Sequence, residues 1–308
     1  MPDARSARDL AEIMAERRAL VDAALERWLP PAGEPPPTIH EAMRYSVFAG
    51  GKRLRPMLAL FGCEAVGGKL EDAMPAAVAL ELIHTYSLVH DDLPAMDDDD
   101  YRRGRPTCHK VYGEAVAILA GDALLTHAFQ VLADPGAASV PASRRLQIVA
   151  EISAAAGSIG MVGGQTMDIQ AEGKTLDPAT LLTLHSKKTG ALLRVSLRVG
   201  GLAGGADDFA LASLTRYGER LGLAFQIVDD ILDIEGSSAE MGKTAGSDLR
   251  KQKATYPAVF GLEASRQEVA RLLEEAREAV RPLGGGGAIL VALADFVGDR
   301  KSVVLGKE

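Results

Sequence analysis

His84-Thr-Tyr-Ser-Leu-Val-His-Asp-Asp-Leu-Pro-Ala-Met-Asp-Asp-Asp-Asp-Tyr-Arg-Arg-Gly104 joins the end of an apolar run to a cluster of carboxylates and then to two arginines. The run behind it, residues 72–91, carries Met74, Ala77, Val78, Leu80, Leu82, Ile83 and Tyr86, with Glu81 the obvious charge in its interior. A helix apolar nearly all round is a central one. Asp91 and Asp92 therefore stand at the inner end of a buried helix. On a straight helix Asp91 and Asp97 would not share a face. Pro94 disfavours helix at the residue before it and breaks the hydrogen-bond ladder. The spacing thus predicts a two-residue bulge that returns Asp97 to Asp91. Asp98, Asp99 and Asp100 then open a loop, and Arg102 and Arg103 follow with the planar forks that bind phosphate oxygens in pairs.

Outward from this stretch the periodicity is helical everywhere. Leu10, Ile13, Met14, Val21, Ala24, Leu25 and Trp28 recur at spacings of three, four and their sums, with Arg17 and Arg18 interrupting one turn. Prolines at 30, 31 and 35–37 stop that helix, and Thr38 with Glu41 reads as the start of the next. Further helices are predicted over 56–66, 111–133, 143–156, 178–199, 207–235, 265–281 and 288–298. Gly157, Gly160, Gly163 and Gly164 mark a break or a close helix crossing. No period-two alternation bounded by turns is present. The fold class expected is all-α, one large helical bundle over residues 1–308, with 301–308 a frayed or non-native tail.

A second acidic cluster, Asp229-Asp-Ile-Leu-Asp233, follows Phe225 and Gln226. Its first and last carboxylates are i and i+4, about 5–6 Å apart at Cβ on one helix face. Crowded carboxylates repel one another, so a positive partner is required. Oxygen-only ligands point to Mg2+, which keeps waters and binds phosphate oxygens beside one or two carboxylates. An acidic run on its own is as well read as a solvated face. Two triads, each ending an apolar helix and each followed by basic residues, are not. A calcium loop fails because the alternating Asp-x-Asp-x-Asp-Gly pattern with a closing Glu is missing.

Basic segments complete the pattern. In Gly50-Gly-Lys-Arg-Leu-Arg-Pro56, Lys52, Arg53 and Arg55 read either as an ordinary helix terminus or as an anion clamp that the glycines let the backbone approach. Lys187-Lys188-Thr189 lies between the clusters, and Gly242-Lys243-Thr and Lys251-Gln-Lys253 have the composition of a closing lid. His90, His127 and His185 are read as ordinary polar positions on helices, and His109 as either polar or functional.

Taken together, these motifs resemble the trans-polyprenyl diphosphate synthase family over roughly residues 38–300, and within it the bacterial farnesyl diphosphate synthases. The resemblance implies an all-α bundle around a deep central cavity, a homodimer, and head-to-tail condensation of an allylic diphosphate with isopentenyl diphosphate. It implies that Asp91, Asp92, Asp97, Asp229, Asp230 and Asp233 hold three Mg2+ ions, with Mn2+ a substitute. Arg102, Lys188, Lys243 and Lys253 would hold the allylic diphosphate, and Lys52, Arg55, His84 and Arg103 the isopentenyl diphosphate. Thr189 and Gln226 would face the developing allylic cation. The product chain would grow along the helix before Asp91, where Tyr86, about one and a half turns deeper at 1.5 Å per residue, would floor the cavity beside small Ser87. That arrangement implies a C15 product, farnesyl diphosphate. Geranyl or geranylgeranyl diphosphate synthases are the alternatives within enzymes. A non-catalytic partner subunit would be expected to lack part of one acidic cluster, and both are complete.

The bulk properties fit. Hydrophobic residues are 47%, charged residues 25%, and the formal net charge of -8 disfavours nucleic acid as a partner. Two cysteines, Cys63 and Cys108, without metal-ligand spacing suggest no disulfide framework and a reducing cytoplasm. Neither a signal peptide nor an apolar run approaching the roughly 20 residues of a membrane span is expected, so no stable membrane insertion is anticipated.

Overall fold

The computed structural model describes residues 4–137, 139–174, 176–235 and 255–299. Helix follows helix: α1 (Ala4–Trp28), α2 (Pro37–Val47), α3 (Leu54–Glu64), α4 (Leu70–Asp91), α5 (Cys108–Tyr112), α6 (Glu114–Ala133), α7 (Ala142–Ala156), α8 (Met161–Ala171) and α9 (Pro178–His185). A π-helical turn, Ser186–Gly190, leads into α10 (Ala191–Ala203), then come α11 (Asp208–Glu235), α12 (Tyr256–Phe260), α13 (Leu262–Val280), a 3-10 turn over Arg281–Gly287, and α14 (Ala288–Gly298). The all-α expectation holds. Two-residue strands β1 (Tyr101–Arg102) and β2 (Arg105–Pro106) pair antiparallel in the loop after α4.

Two apolar cores share a wall. One gathers α1, α2, α4, α6 and α7; the other gathers α11, α13 and α14. α3 and α10 serve both: Leu60 and Val195 face the first core, Phe61 and Leu197 the second. That is why α3 is apolar all round. Their backbones touch, because a side chain at Gly62 would strike Leu197 and one at Gly200 would strike Ala59. α4 packs against α3 and α6. Leu80, Leu82 and Ile83 are fully buried, each contributing about 1.5–3 kcal/mol. Glu81, 2% exposed, is tolerated there because Arg53 Nη1 donates to it at 2.7 Å.

Several local expectations are corrected. Thr38 does not cap α2; the cap is Pro36, with Pro37 in the first turn, where its missing N–H costs nothing. The helix expected over 111–133 breaks at Gly113, whose φ of 82° separates α5 from α6. The glycine-rich stretch keeps the expected break, between α7 and α8, and Gly164 of α8 makes the expected close crossing. Contrary to the expectation for membrane spans, Glu114–Ala133, Ala142–Ala171 and Leu262–Gly298 are long and apolar enough by length and composition to cross a membrane. The last two each join two helices across a break. Cys63 and Cys108 are free and buried.

Candidate functional site

The first acidic cluster is built by the break in α4. The helix ends at Asp91, and the Asp97 amide returns to donate to the Asp91 carbonyl at 2.8 Å. The Asp99 amide reaches the Asp92 carbonyl at 3.2 Å. The bulge expected around Pro94 is therefore present. Asp92 is 4% exposed, and Arg102 Nε donates to its Oδ1 at 2.7 Å from β1. Burial pushes the Asp91 carboxyl up to about 6, Lys188 opposes that shift, and Asp97 adds to it. A carboxylate so placed calls for more positive charge than it has. Tyr86 is buried with its ring edge-on to His90, and Asp91 joins burial in raising its phenol pKa. Ser87 lies one turn below Asp91 and donates to the His84 carbonyl at 2.9 Å.

The Gly50-Gly51 turn has φ of 92° and 127°, a backbone open to glycine. What approaches it is Arg103, itself left-handed at the hairpin turn, whose guanidinium lies over Gly51 and donates to the Gly50 carbonyl. Of the three cations expected to form a clamp, Arg53 is not available. It is 3% exposed and engages Glu81 and Asp22, the latter at 2.8 Å. Its left-handed backbone, φ 50°, precedes α3 directly. Arg55 differs: its Nε has no hydrogen-bond partner, and burial lowers its pKa to about 10, with Arg103 adding to the drop and Glu81 and Asp229 opposing it. Burial, then Arg55, Arg103, Arg102 and Arg53, push the His84 imidazole well below its ordinary range, so it is neutral. Arg55, His84 and Arg103 thus meet in one cationic corner, with half-buried Lys52 in the turn leading to it.

The second cluster sits on unbroken α11. Asp230 and Asp233 are each 4% exposed. Gln226 Nε2 donates to Asp230 Oδ1 at 2.8 Å, and the Tyr256 amide at the start of α12 donates to Asp230 Oδ2 at 2.8 Å. Thr189 Oγ1 donates to Gln226 Oε1 at 2.7 Å. Lys188, the preceding residue, pairs with Asp168 of α8 and lies close enough to Asp91 to stabilise its charge. The turn Ser186–Gly190 therefore serves both clusters, Lys188 through its charge near Asp91 and Thr189 through Gln226 to Asp230, and Arg55 is close enough to Asp229 to feel its charge.

Two residues of this assembly escaped the sequence reading. His185, by sequence an ordinary polar position on a helix, is 5% exposed with Nε2 3.8 Å from Asp230 Oδ2; burial lowers its pKa to about 4. Asp168 was not singled out at all. Signals existed, because Gln165 and Asp168 are i and i+3 on a glycine-rich helix, and His185 is i-3 from Lys188. Lys243 and Lys253 lie outside the described residues. Among those residues, the group whose ligand-type atoms all fall within 4.8 Å of one another is Asp98, Asp100 and His109, not the six aspartates expected to hold metal. Asp92 of those six is engaged by Arg102, and Lys110 holds Asp100 at 2.6 Å.

Comparison with known proteins gives the family. Residues 36–282 match the family model described as polyprenyl synthetase. A farnesyl diphosphate synthase from Geobacillus stearothermophilus is 46% identical over 94% of this chain and 97% of its own length. A geranylgeranyl diphosphate synthase from Cyanophora paradoxa is 45% identical over 96% and 97%. The solved structure of geranylgeranyl pyrophosphate synthetase from Pyrococcus horikoshii superposes with a TM-score of 0.85 at 33% identity, covering 96% of this chain and 99% of the other.

Proposed function

The chain belongs to the polyprenyl synthetase family, and from that premise we propose that it condenses dimethylallyl and geranyl diphosphates with isopentenyl diphosphate to make farnesyl diphosphate. As a prenyl diphosphate synthase it is a transferase acting on allylic and isopentenyl diphosphates. The observation that carries the reading is that one turn, Ser186–Gly190, serves both clusters, with Lys188 within electrostatic range of Asp91 and Thr189 linked to Asp230 through Gln226.

The donor set suits a hard divalent cation. It is all carboxylate oxygen and largely buried, and burial raises the Asp91 pKa to about 6 even with Lys188 opposing the shift. We assign Mg2+ to Asp91, Asp92, Asp97, Asp229, Asp230 and Asp233, three ions in all. Bound there, Mg2+ would neutralise charge developing on a leaving diphosphate. The chain's own groups do the rest. Lys188 and Arg102 hold the allylic diphosphate. Arg55, Arg103 and Lys52 hold isopentenyl diphosphate, with neutral His84 able to donate or accept a hydrogen bond without adding charge. The Gln226 carbonyl and the Thr189 hydroxyl present lone pairs to the allylic cation. The proton lost at the end goes to a diphosphate oxygen, so no side-chain base is required.

For chain length, the supporting feature is the buried Tyr86 ring beside small Ser87 under Asp91. The expected main product is C15. The Tyr86→Ala variant should make longer chains, read by chromatography after incubation with labelled isopentenyl diphosphate; unchanged C15 output would remove Tyr86 from the argument. A C20 product is the second reading, favoured by the geranylgeranyl name of the Cyanophora relative; C20 from the unaltered chain would establish it. We also propose a homodimer, because α6 leaves Ile118 and Leu119 exposed, 45% and 57%, on an apolar helix. Sedimentation at the mass of one chain would refute it.

A further inference from the structure

A cavity of about 750 Å3 lies against the same turn, Ser186–Gly190, but is lined by Ser186 and Lys187 and by none of Lys188, Thr189 or Gln226. Its volume is in the range of small-molecule sites, roughly 300–1,000 Å3. Ile159 and Val195 supply apolar wall, and Lys187, Arg194 and Arg198 supply charge. Arg198 is fully engaged, donating through Nε and Nη2 to the two Glu151 oxygens at 2.7 Å each. The other two cations are not compensated in that way. Lys187 Nζ donates to the Ile159 carbonyl at 2.7 Å, and among the described residues no carboxylate pairs with it. Arg194 reaches Glu219 only at 3.5 Å, and its Nε is buried with no hydrogen-bond partner. An apolar wall beside surplus cationic donors suits an amphipathic anion.

We propose that this cavity is a second, non-catalytic site for an isoprenoid diphosphate, with the chain against Ile159 and Val195 and the diphosphate on Lys187 and Arg194. Filling it adjusts catalysis through the turn. The inference rests on the prenyl diphosphate reading of the neighbouring site. Lys187 and Lys188 are adjacent in a π-helical turn, a rare form found at functional positions. Close packing couples that turn to its neighbours: a side chain at Gly164 of α8 would strike the Lys188 backbone, and one at Gly222 of α11 would lie 3.2 Å from Gly190. An anion that pulls Lys187 from the Ile159 carbonyl therefore moves Lys188 and Thr189 with it.

The test uses the purified full chain with Mg2+ and geranyl thiodiphosphate, an allylic analogue with a poor leaving group. Titration calorimetry should count two sites per chain. In Lys187→Ala/Arg194→Ala the second site should weaken about tenfold or more, the loss expected for charge-assisted hydrogen bonds. Inhibition by excess analogue should weaken with it, while Arg194→Gln, which keeps the Lys187 contact to the Ile159 carbonyl, should leave kcat/KM at low substrate unchanged. Arg194→Gln alone should give a smaller shift in the same direction, which covers misfolding of the double variant. One site in the unaltered chain overturns the proposal, and so does a second site that survives both substitutions. Inorganic diphosphate filling the second site as tightly as the analogue overturns the assignment of an isoprenoid ligand. Failure of the unaltered chain to turn over its diphosphates is a separate readout, and it would sink the catalytic reading instead.

Discussion

Asp91–Asp97 and Asp229–Asp233 gather the same side chains by opposite means. In the first, the helix stops and the backbone folds back, so that the Asp97 amide caps the Asp91 carbonyl. In the second, α11 runs on, and helical spacing alone sets the carboxylates on one face. The partners described for them differ too. The first relies on cations, Arg102 on Asp92 and Lys188 near Asp91, and still leaves Asp91 at about 6. In the second, Asp230 is held by uncharged donors, the Gln226 amide and the Tyr256 backbone N–H. A site for a charged ligand needs one half whose own charge is incompletely balanced and another that stays in place. The first cluster is poised to receive positive charge; the second is pre-organised.

The sharpest way to break this contrast is to remove one charge from each side. Asp91→Asn and Asp230→Asn should both lower kcat by about 10²–10³-fold, the usual cost of losing one transition-state electrostatic group. Their stabilities should move apart. The folded-state pKa of Asp91 lies above its ordinary value, so the native state binds the extra proton. Its contribution is greatest at low pH and is lost as pH rises through about 6. Asp91→Asn removes that penalty, and the chelator-treated variant should gain on the order of 1–3 kcal/mol at neutral pH, seen as a rise in Tm. Asp230→Asn instead sets an NH2 group against one of two donors, with a loss of about 1–3 kcal/mol. His185, lowered to about 4, acts in the other direction, since its contribution is lost as pH falls from its ordinary range towards 4. That background cancels when each variant is compared with the unaltered chain at the same pH. Two variants shifting in the same direction would erase the distinction between the clusters.

The same contrast explains what could be read without coordinates. A continuous helix with carboxylates at i and i+4 is a local pattern, so Asp229–Asp233 and its host helix were legible, as was the bulge that Pro94 forces. Partner choice is not local. Arg53 and Arg55 are two residues apart in one basic motif, yet Arg53 is buried on Glu81 and Asp22 while Arg55 keeps an unpartnered Nε. Only the left-handed backbone at Arg53 and the place of Glu81 on α4 decide between them. Glycine density left two readings open, a break or a close crossing, and both are present: the chain leaves helix between α7 and α8, and Gly164 lets α8 meet the Lys188 backbone. What it did not mark is that α8 brings Asp168 to Lys188. His185 was missed because a polar residue on a helix carries no mark of which carboxylate it will face.

A smaller effect tests whether the second cluster is held by its hydrogen bonds or merely decorated with them. Asp230 can only accept, so the NH2 of Gln226 must face it and the carbonyl must face Thr189. The Thr189 hydroxyl then donates to that carbonyl, which leaves lone pairs of both oxygens for a cation. Gln226→Leu breaks the relay at its centre and Thr189→Val at its end. Each should lower kcat by about five- to tenfold, near 1 kcal/mol per neutral hydrogen bond, with little change in KM for isopentenyl diphosphate. The double variant should fall little further than Gln226→Leu alone, because the threonine acts through a group already gone. Fully additive losses would mean that the two side chains reach the reacting centre independently, and that Asp230 is positioned by α11 and the Tyr256 amide without the relay.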